Sequence, residues 1–187
     1  MLYEPSKTAI VVIDLQKGIT AFSTTPLSSK EVINNAAKLV QRFREQSSPV
    51  FLVHVGPHDG KDALQPVTDL PPQQAHERPR DWAEFVSELN VQPSDLIIRK
   101  RQWGAFHGTE LDLQLRRRGI DTIVLCGIAT SIGVETTARE AYQHGYNQIF
   151  VSDATTDLNN ETNQTTFQYV FPKIGRIRTT QEVLNNE

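Results

Sequence analysis

The sequence predicts a three-layer α/β/α fold built around a doubly wound, mostly parallel sheet of about six strands. Three observations predict it. Short apolar runs such as residues 9–13 and 122–126 lack the polar alternation of a sheet with one wet face, so both faces of these strands are buried. Such runs alternate with segments of helical periodicity, and that alternation leads to parallel strands joined by right-handed crossovers. At 187 residues, with no internal repeat, the chain fits a single domain, residues 1–187, large enough to cover a sheet on both sides.

Taken in order, the first strand is residues 9–13 and ends at Asp14-Leu15-Gln16. Ser28 and Glu31 have the spacing of a capping box, in which hydroxyl and carboxylate each satisfy a free backbone N–H. Val32, Ala36, Leu39, Val40 and Phe43 then form the inner stripe of the helix that follows. The second strand is residues 50–55. Residues 56–79 are rich in Pro, Asp and Gln without apolar periodicity, which predicts a long surface excursion of the kind that lines a site. Pro79 suits the first turn of a short helix on which Trp82, Phe85, Val86 and Leu89 share a face. The third strand, residues 95–100, ends at Lys100 much as the first ends at Asp14, and the loop 101–108 carries Trp103 and Phe106. Thr109 with Asp112 resembles a capping pair for a helix through Arg118, stopped by Gly119. Residues 122–126 and 148–152 are the fourth and fifth strands, 161–170 the last helix, and 174–178 a short final strand.

The stretch 125–146, LCGIATSIGVETTAREAYQHGY, turns from strand to helix. Ser131 is the expected N-cap, Val134, Ala138, Ala141 and Tyr142 recur at helical spacing, and Gly145 suits the left-handed position that ends a helix. Gly133 falls in the first turn, where backbone N–H groups lack intrahelical partners and can bind an anion or a polarised carbonyl. A glycine inside a helix costs about 1 kcal/mol relative to alanine, so something must approach the backbone closely there. Tight packing of helix on strand is the alternative reason.

Composition excludes several classes. A net charge of −3 is not the footprint of a nucleic-acid-binding protein, and Arg116-Arg117-Arg118 reads as the cationic last turn of a helix. No apolar run approaches the roughly 20 residues that span a bilayer, and the N-terminus lacks a secretory pattern, so a cytoplasmic location is expected. A single cysteine permits no intramolecular disulfide and fits a reducing compartment.

In an open parallel sheet the ligand crevice lies beyond the carboxyl ends of the strands, where the strand order reverses. Asp14, Lys100 and the turn 128–133 all belong at that edge. A carboxylate, an ammonium and free N–H groups together can move a proton, hold an anion and stabilise developing negative charge. Singly, Asp14 is equally a satisfied strand-end acid and Lys100 a solvated cation; their convergence points to a site.

The blocks IDLQKG at 13–18, KRQWGAFHGTELDLQLRRRGI at 100–120 and GIATSIGVETTAREA at 127–141 resemble the isochorismatase-like hydrolase family, in order and over roughly residues 8–184. The resemblance is nearest to a bacterial subgroup. It implies a small-molecule substrate, no cofactor and a homo-oligomer, a dimer or tetramer. Related members carry an Asp-Lys-Cys triad whose cysteine attacks an amide carbonyl; Asp14 and Lys100 match the first two, but Gly133 stands where the cysteine would. A glycine offers no nucleophile, which removes the thioester route. Cys126, in the strand run IVLCG, reads as a buried and inert thiol rather than a substitute. Authentic isochorismatases likewise have glycine there and hydrolyse a vinyl ether without a covalent intermediate.

The resemblance further implies a cis peptide at Ile128-Ala129, with the N–H groups of Ala129 and Gly133 toward substrate and Thr130 in contact with it. Asp14 would be the general acid or base, Gly133 would complete the catalytic turn, and Lys100 would bind a substrate oxygen or carboxylate. Lys100 would lower the pKa of Asp14 while burial raises it, and the sequence leaves the winner open. Trp103 and Phe106 would form an apolar wall. Gln16 either orients Asp14 or substrate or caps its own loop. Asn163 replaces a histidine frequent in relatives. No metal is expected: His54 and His58 sit on a strand end and in a loop, and Leu52 stands where the nicotinamidase metal motif has an aspartate. His76, His107 and His144 read as surface or loop residues. Two other readings are a catalytically silent member that binds a small metabolite or serves as a subunit, and an amidase that activates water directly.

Overall fold

The computed structural model describes residues 1–70 and 78–187; residues 71–77, part of the predicted excursion and including His76, lie outside the described residues. Six strands, β1 (Thr8–Ile13), β2 (Val50–Val55), β3 (Leu96–Lys100), β4 (Thr122–Ile128), β5 (Asn147–Thr156) and β6 (Arg176–Arg178), form one sheet in the order β3-β2-β1-β4-β5-β6. Every neighbouring pair is parallel. The chain steps outward from β1 to β3, then returns beside β1 at β4 and steps outward the other way. The order therefore reverses between β1 and β4, and a crevice opens beyond their carboxyl ends.

Helices α1 (Ser29–Glu45), α2 (Leu111–Arg117), α3 (Glu135–Gln143), α4 (Asn160–Thr165) and α5 (Thr180–Asn185) flank the sheet. The capping box of α1 forms as its spacing predicts: Glu31 N–H donates to Ser28 Oγ at 3.3 Å and Ser28 N–H to Glu31 Oε2 at 2.9 Å. On one face Ile10, Val12, Val124, Cys126 and Ile149 pack against the α1 stripe and Val183 of α5. On the other, Val11, Ile13, Phe51, Val53, Leu125 and Phe150 pack with residues of α2 and α3. Neighbouring residues along β1 and β4 thus enter opposite cores, which is why those runs show no polar alternation. Truncating a fully enclosed member such as Leu39 costs about 2–5 kcal/mol. Gly119 and Gly145, with φ of 65° and 83°, stop α2 and α3 as expected.

Three local expectations are corrected. Pro79 opens no α-helix; the segment makes turns, an isolated antiparallel bridge between Phe85 and Gln16, and a 3₁₀ turn at Ser87–Leu89. Its backbone groups are taken by residues 15–18: Lys17 N–H donates to Glu84 O, Gly18 N–H to Trp82 O, and Val86 N–H to Leu15 O. Extended pairing therefore replaces the helical ladder, while Val86 and Leu89 still reach the core. Thr109 and Asp112 are not a capping pair: Thr109 Oγ1 accepts from Leu111 N–H and donates to Ala105 O, while Asp112 holds Arg116 and the Tyr146 hydroxyl. Ser131 does not cap α3 either, because the helix is entered through a wider π-type turn at Thr130–Val134.

Candidate active site

Asp14 follows β1 directly, its N–H bound to Val53 O at 2.9 Å and its φ at 53°, a left-handed value uncommon for a residue with a side chain. Lys100, the last residue of β3, is 1% exposed and crosses beneath the crevice to reach it. Its Nζ donates to Asp14 Oδ2 at 2.8 Å and to Trp103 O at 2.5 Å. Asp14 Oδ1 is buried with no hydrogen-bond partner among the described residues. Burial pushes the Asp14 carboxyl up to about 6 against the opposing pull of the Lys100 charge. Desolvation, the larger effect, thus decides the competition that the sequence left open.

Gly133 faces this pair. A Cβ added there would lie 2.9 Å from Lys100 Nζ, 3.0 Å from Ile13 Cγ2 and 3.1 Å from Asp14 Oδ2. The close approach inferred from a costly helical glycine is real, and what approaches is the carboxylate–ammonium pair as well as strand β1. The peptide Ile128-Ala129 is cis, as the resemblance implied. The turn that follows is held from outside: Ser131 N–H donates to Asp157 Oδ2 at 2.9 Å, and Thr162 Oγ1 donates to the same oxygen at 3.0 Å. Asp157, 1% exposed at the end of β5, supplies the cap expected of Ser131. A register shift between Leu125 and Gly127 in the β4–β5 ladder accompanies its delivery there, and no local signal marked it.

Asp14, Lys100, Ala129 and Gly133 line a cavity of about 630 Å³. Ile19, Phe22, Trp82, Trp103, Ile132 and Leu158 supply its apolar wall, and Thr136 and Glu140 line it from the α3 side. Arg78, Arg101 and His107 add cationic or cation-capable groups, and Ala63, Leu64 and Pro66 come from the long excursion, which lines the site as its length predicted. A match to the isochorismatase domain spans residues 8–182. The chain belongs to the isochorismatase family. It is 57% identical over 179 residues to the isochorismatase family protein YwoC of Bacillus subtilis (strain 168), covering 95% of this chain and 93% of that one. It is 48% identical to the family protein YecD of Escherichia coli O157:H7, covering 95% of each. An isochorismatase family protein from Burkholderia thailandensis has a solved structure with a TM-score of 0.93 at 44% identity, covering 98% of this chain and 96% of that one. As a member of this family the chain is a hydrolase.

Of the residues singled out in the sequence, Asp14, Lys100, Gly133, Ala129 and Trp103 all border the cavity. Three others do not. Gln16 is fully buried and its amide is used by backbone: it donates to Val55 O at 3.1 Å and Trp82 O at 3.2 Å and accepts from Val55 N–H at 2.8 Å. Of its two readings, loop closure is the one realised. Phe106 is 5% exposed, stacks on His144 and packs at a tilt against Tyr146, and does not line the cavity. Thr130 is fully buried and donates to Asn163 Oδ1 at 2.7 Å, so Asn163 steadies the turn from behind. Trp82, Ile132, Thr136 and Glu140 were missed; the last two lie three and seven residues after Gly133, a helical spacing that puts them on its face.

Cys126 is fully buried in the core, and burial pushes its thiol up to about 12, with Asp153 adding to the effect. His54 engages Ala83 O through Nδ1 at 2.9 Å, and burial holds its imidazole below the ordinary histidine range. Among the described residues no helix is long and apolar enough to cross a membrane.

Proposed function

We propose that this isochorismatase-family hydrolase cleaves the vinyl ether of isochorismate or a similar small anionic metabolite without a covalent enzyme intermediate. The observation that carries the reading is Gly133 set against Asp14 and Lys100: the place of a nucleophile holds none, and Cys126 is sealed in the core. A carboxyl whose pKa is raised to about 6 suits a general acid near neutral pH.

In this mechanism protonated Asp14 adds its proton to the terminal vinyl carbon, which leaves an oxocarbenium ion. Water attacks the ether-bearing carbon of that ion, Asp14 takes up the proton released, and the hemiketal collapses to pyruvate and a ring alcohol. Lys100 binds a substrate oxygen or carboxylate and stabilises the Asp14 anion formed by proton transfer. The backbone N–H groups of Ala129 and Gly133 offer donors to the substrate carboxylate or the departing ring oxygen, and Trp103 with Trp82 flanks the ring. Arg101 and His107 at the wall favour an anionic substrate. Release of pyruvate from isochorismate tests the proposal directly. Hydrolysis of nicotinamide or a ureido acid in its place would assign the site to amide chemistry, and binding without turnover across the panel would make it a metabolite-binding member.

A further inference from the structure

The Lys100 ammonium is held from two sides, and one of them depends on a loop. Its second acceptor is the Trp103 carbonyl at 2.5 Å, yet the Trp103 side chain is 63% exposed and does little to fix that carbonyl. The adjoining backbone is fastened to α3. Ala105 N–H donates to Thr137 Oγ1 at 3.1 Å, and Phe106 N–H donates to Glu140 Oε2 at 3.0 Å. Thr137 Oγ1 in turn donates to Gly133 O at 2.7 Å, so one hydroxyl ties the loop to the turn that faces Asp14. Gly104 lets this happen: a Cβ there would lie 2.2 Å from Glu140 Oε2, and any larger residue would displace the carboxylate.

We propose that Thr137 and Glu140 are positioning residues that hold the Lys100 ammonium against Asp14, acting through the backbone of residues 103–106. A buried carboxylate–ammonium contact loses strength steeply with small separations because little solvent screens it, so loop placement becomes a determinant of acidity at Asp14. Burial of Ala105 and Phe106 keeps the loop on the protein and Gln102 Nε2 braces it from within, donating to Gly104 O at 3.1 Å and His107 O at 2.6 Å, while the two hydrogen bonds to α3 set its position against the turn that faces Asp14. Among the described residues the other charged or titratable groups on the cavity wall are Glu140 itself, Arg78, His107 and Arg101, the last paired with Asp62 at 2.9 Å.

The inference rests on the proposed reaction only in that Asp14 handles its proton, and the experiment that tests it requires no turnover. The Asp14 carboxyl is followed by ¹³C NMR across pH, its signal assigned by its loss in Asp14→Asn. Thr137→Val removes the hydroxyl without changing charge, whereas Thr137→Ser keeps it. Glu140→Leu and Glu140→Gln lose the same charge, but only Gln retains an acceptor for Phe106 N–H, so the difference between them isolates the hydrogen bond. The expected result is an Asp14 midpoint raised by roughly half a pH unit or more in Thr137→Val over Thr137→Ser, and in Glu140→Leu over Glu140→Gln. Equal midpoints within each pair, or a lower one in the Val and Leu variants, would overturn the proposal. Either pair alone decides it if one variant of the other does not fold, and an inactive protein with shifted midpoints would count against the proposed reaction but not against this inference.

Discussion

Replacing Asp14 by asparagine removes the titrating proton while keeping the size and hydrogen-bonding edge of the side chain. If Asp14 is the general acid, kcat falls by about 10²- to 10⁴-fold and substrate is still bound. The structure also sets the pH dependence. With a pKa of about 6 the acid is protonated in roughly one molecule in ten at pH 7, so wild-type turnover should be level below pH 6 and fall about tenfold per unit above it. Stability follows the same titration. A folded-state pKa raised above the unfolded value of 3.8 gives a contribution fully present below that value and lost as pH rises through about 6. Wild type should therefore gain on the order of 2 kcal/mol relative to Asp14→Asn as pH falls from 7 to 4. Pyruvate release from isochorismate from pH 5 to 9, with urea unfolding of both proteins at pH 4 and 7, measures all three effects. Turnover that rises with pH, or a variant that keeps more than a tenth of kcat, would refute the general-acid assignment.

Removal of Lys100 strands a buried carboxyl, so Lys100→Met should lower stability at neutral pH by about 3–5 kcal/mol, move the falling limb of the rate profile to higher pH and raise KM for an anionic substrate; denaturant melts and kinetics at several pH values measure this. Cys126→Ala should turn over normally while losing about 1 kcal/mol of packing, and native protein should resist alkylation. Abolished turnover in a folded Cys126→Ala would contradict a cysteine-free route. Trp103→Ala should raise KM with little change in melting temperature, and Phe106→Leu the reverse, because Trp103 borders the cavity and Phe106 is the loop's buried anchor. Extensively chelated protein should keep its activity and contain no stoichiometric zinc, iron or manganese; about one ion per chain, lost in His54→Ala, would reverse that expectation.

The layers, the six strands and the edge at which the chemistry gathers can all be read from the chain, because each is written in short-range pattern. Apolar runs without alternation declare strands covered on both faces, the Ser28–Glu31 box starts α1, and Asp14 and Lys100 stand at strand ends that a doubly wound sheet must bring to one crevice. Gly133 was legible because a glycine in a first helical turn needs a reason. Tertiary structure decided matters that depend on which long-range partner wins. Gln16, Phe106 and Thr130 carry side chains suited to a substrate, yet backbone carbonyls, a stack on His144 and Asn163 take them first. The segment after Pro79 has a helical stripe, but pairing with residues 15–18 satisfies its backbone in extended form. Asp157 reaches Ser131 only through the fold of β5, and Glu140 reaches the loop only through the space at Gly104. Acidity at Asp14 belongs to the same class, since burial and a neighbouring ammonium act on it in opposite directions and only the assembled site sets their balance.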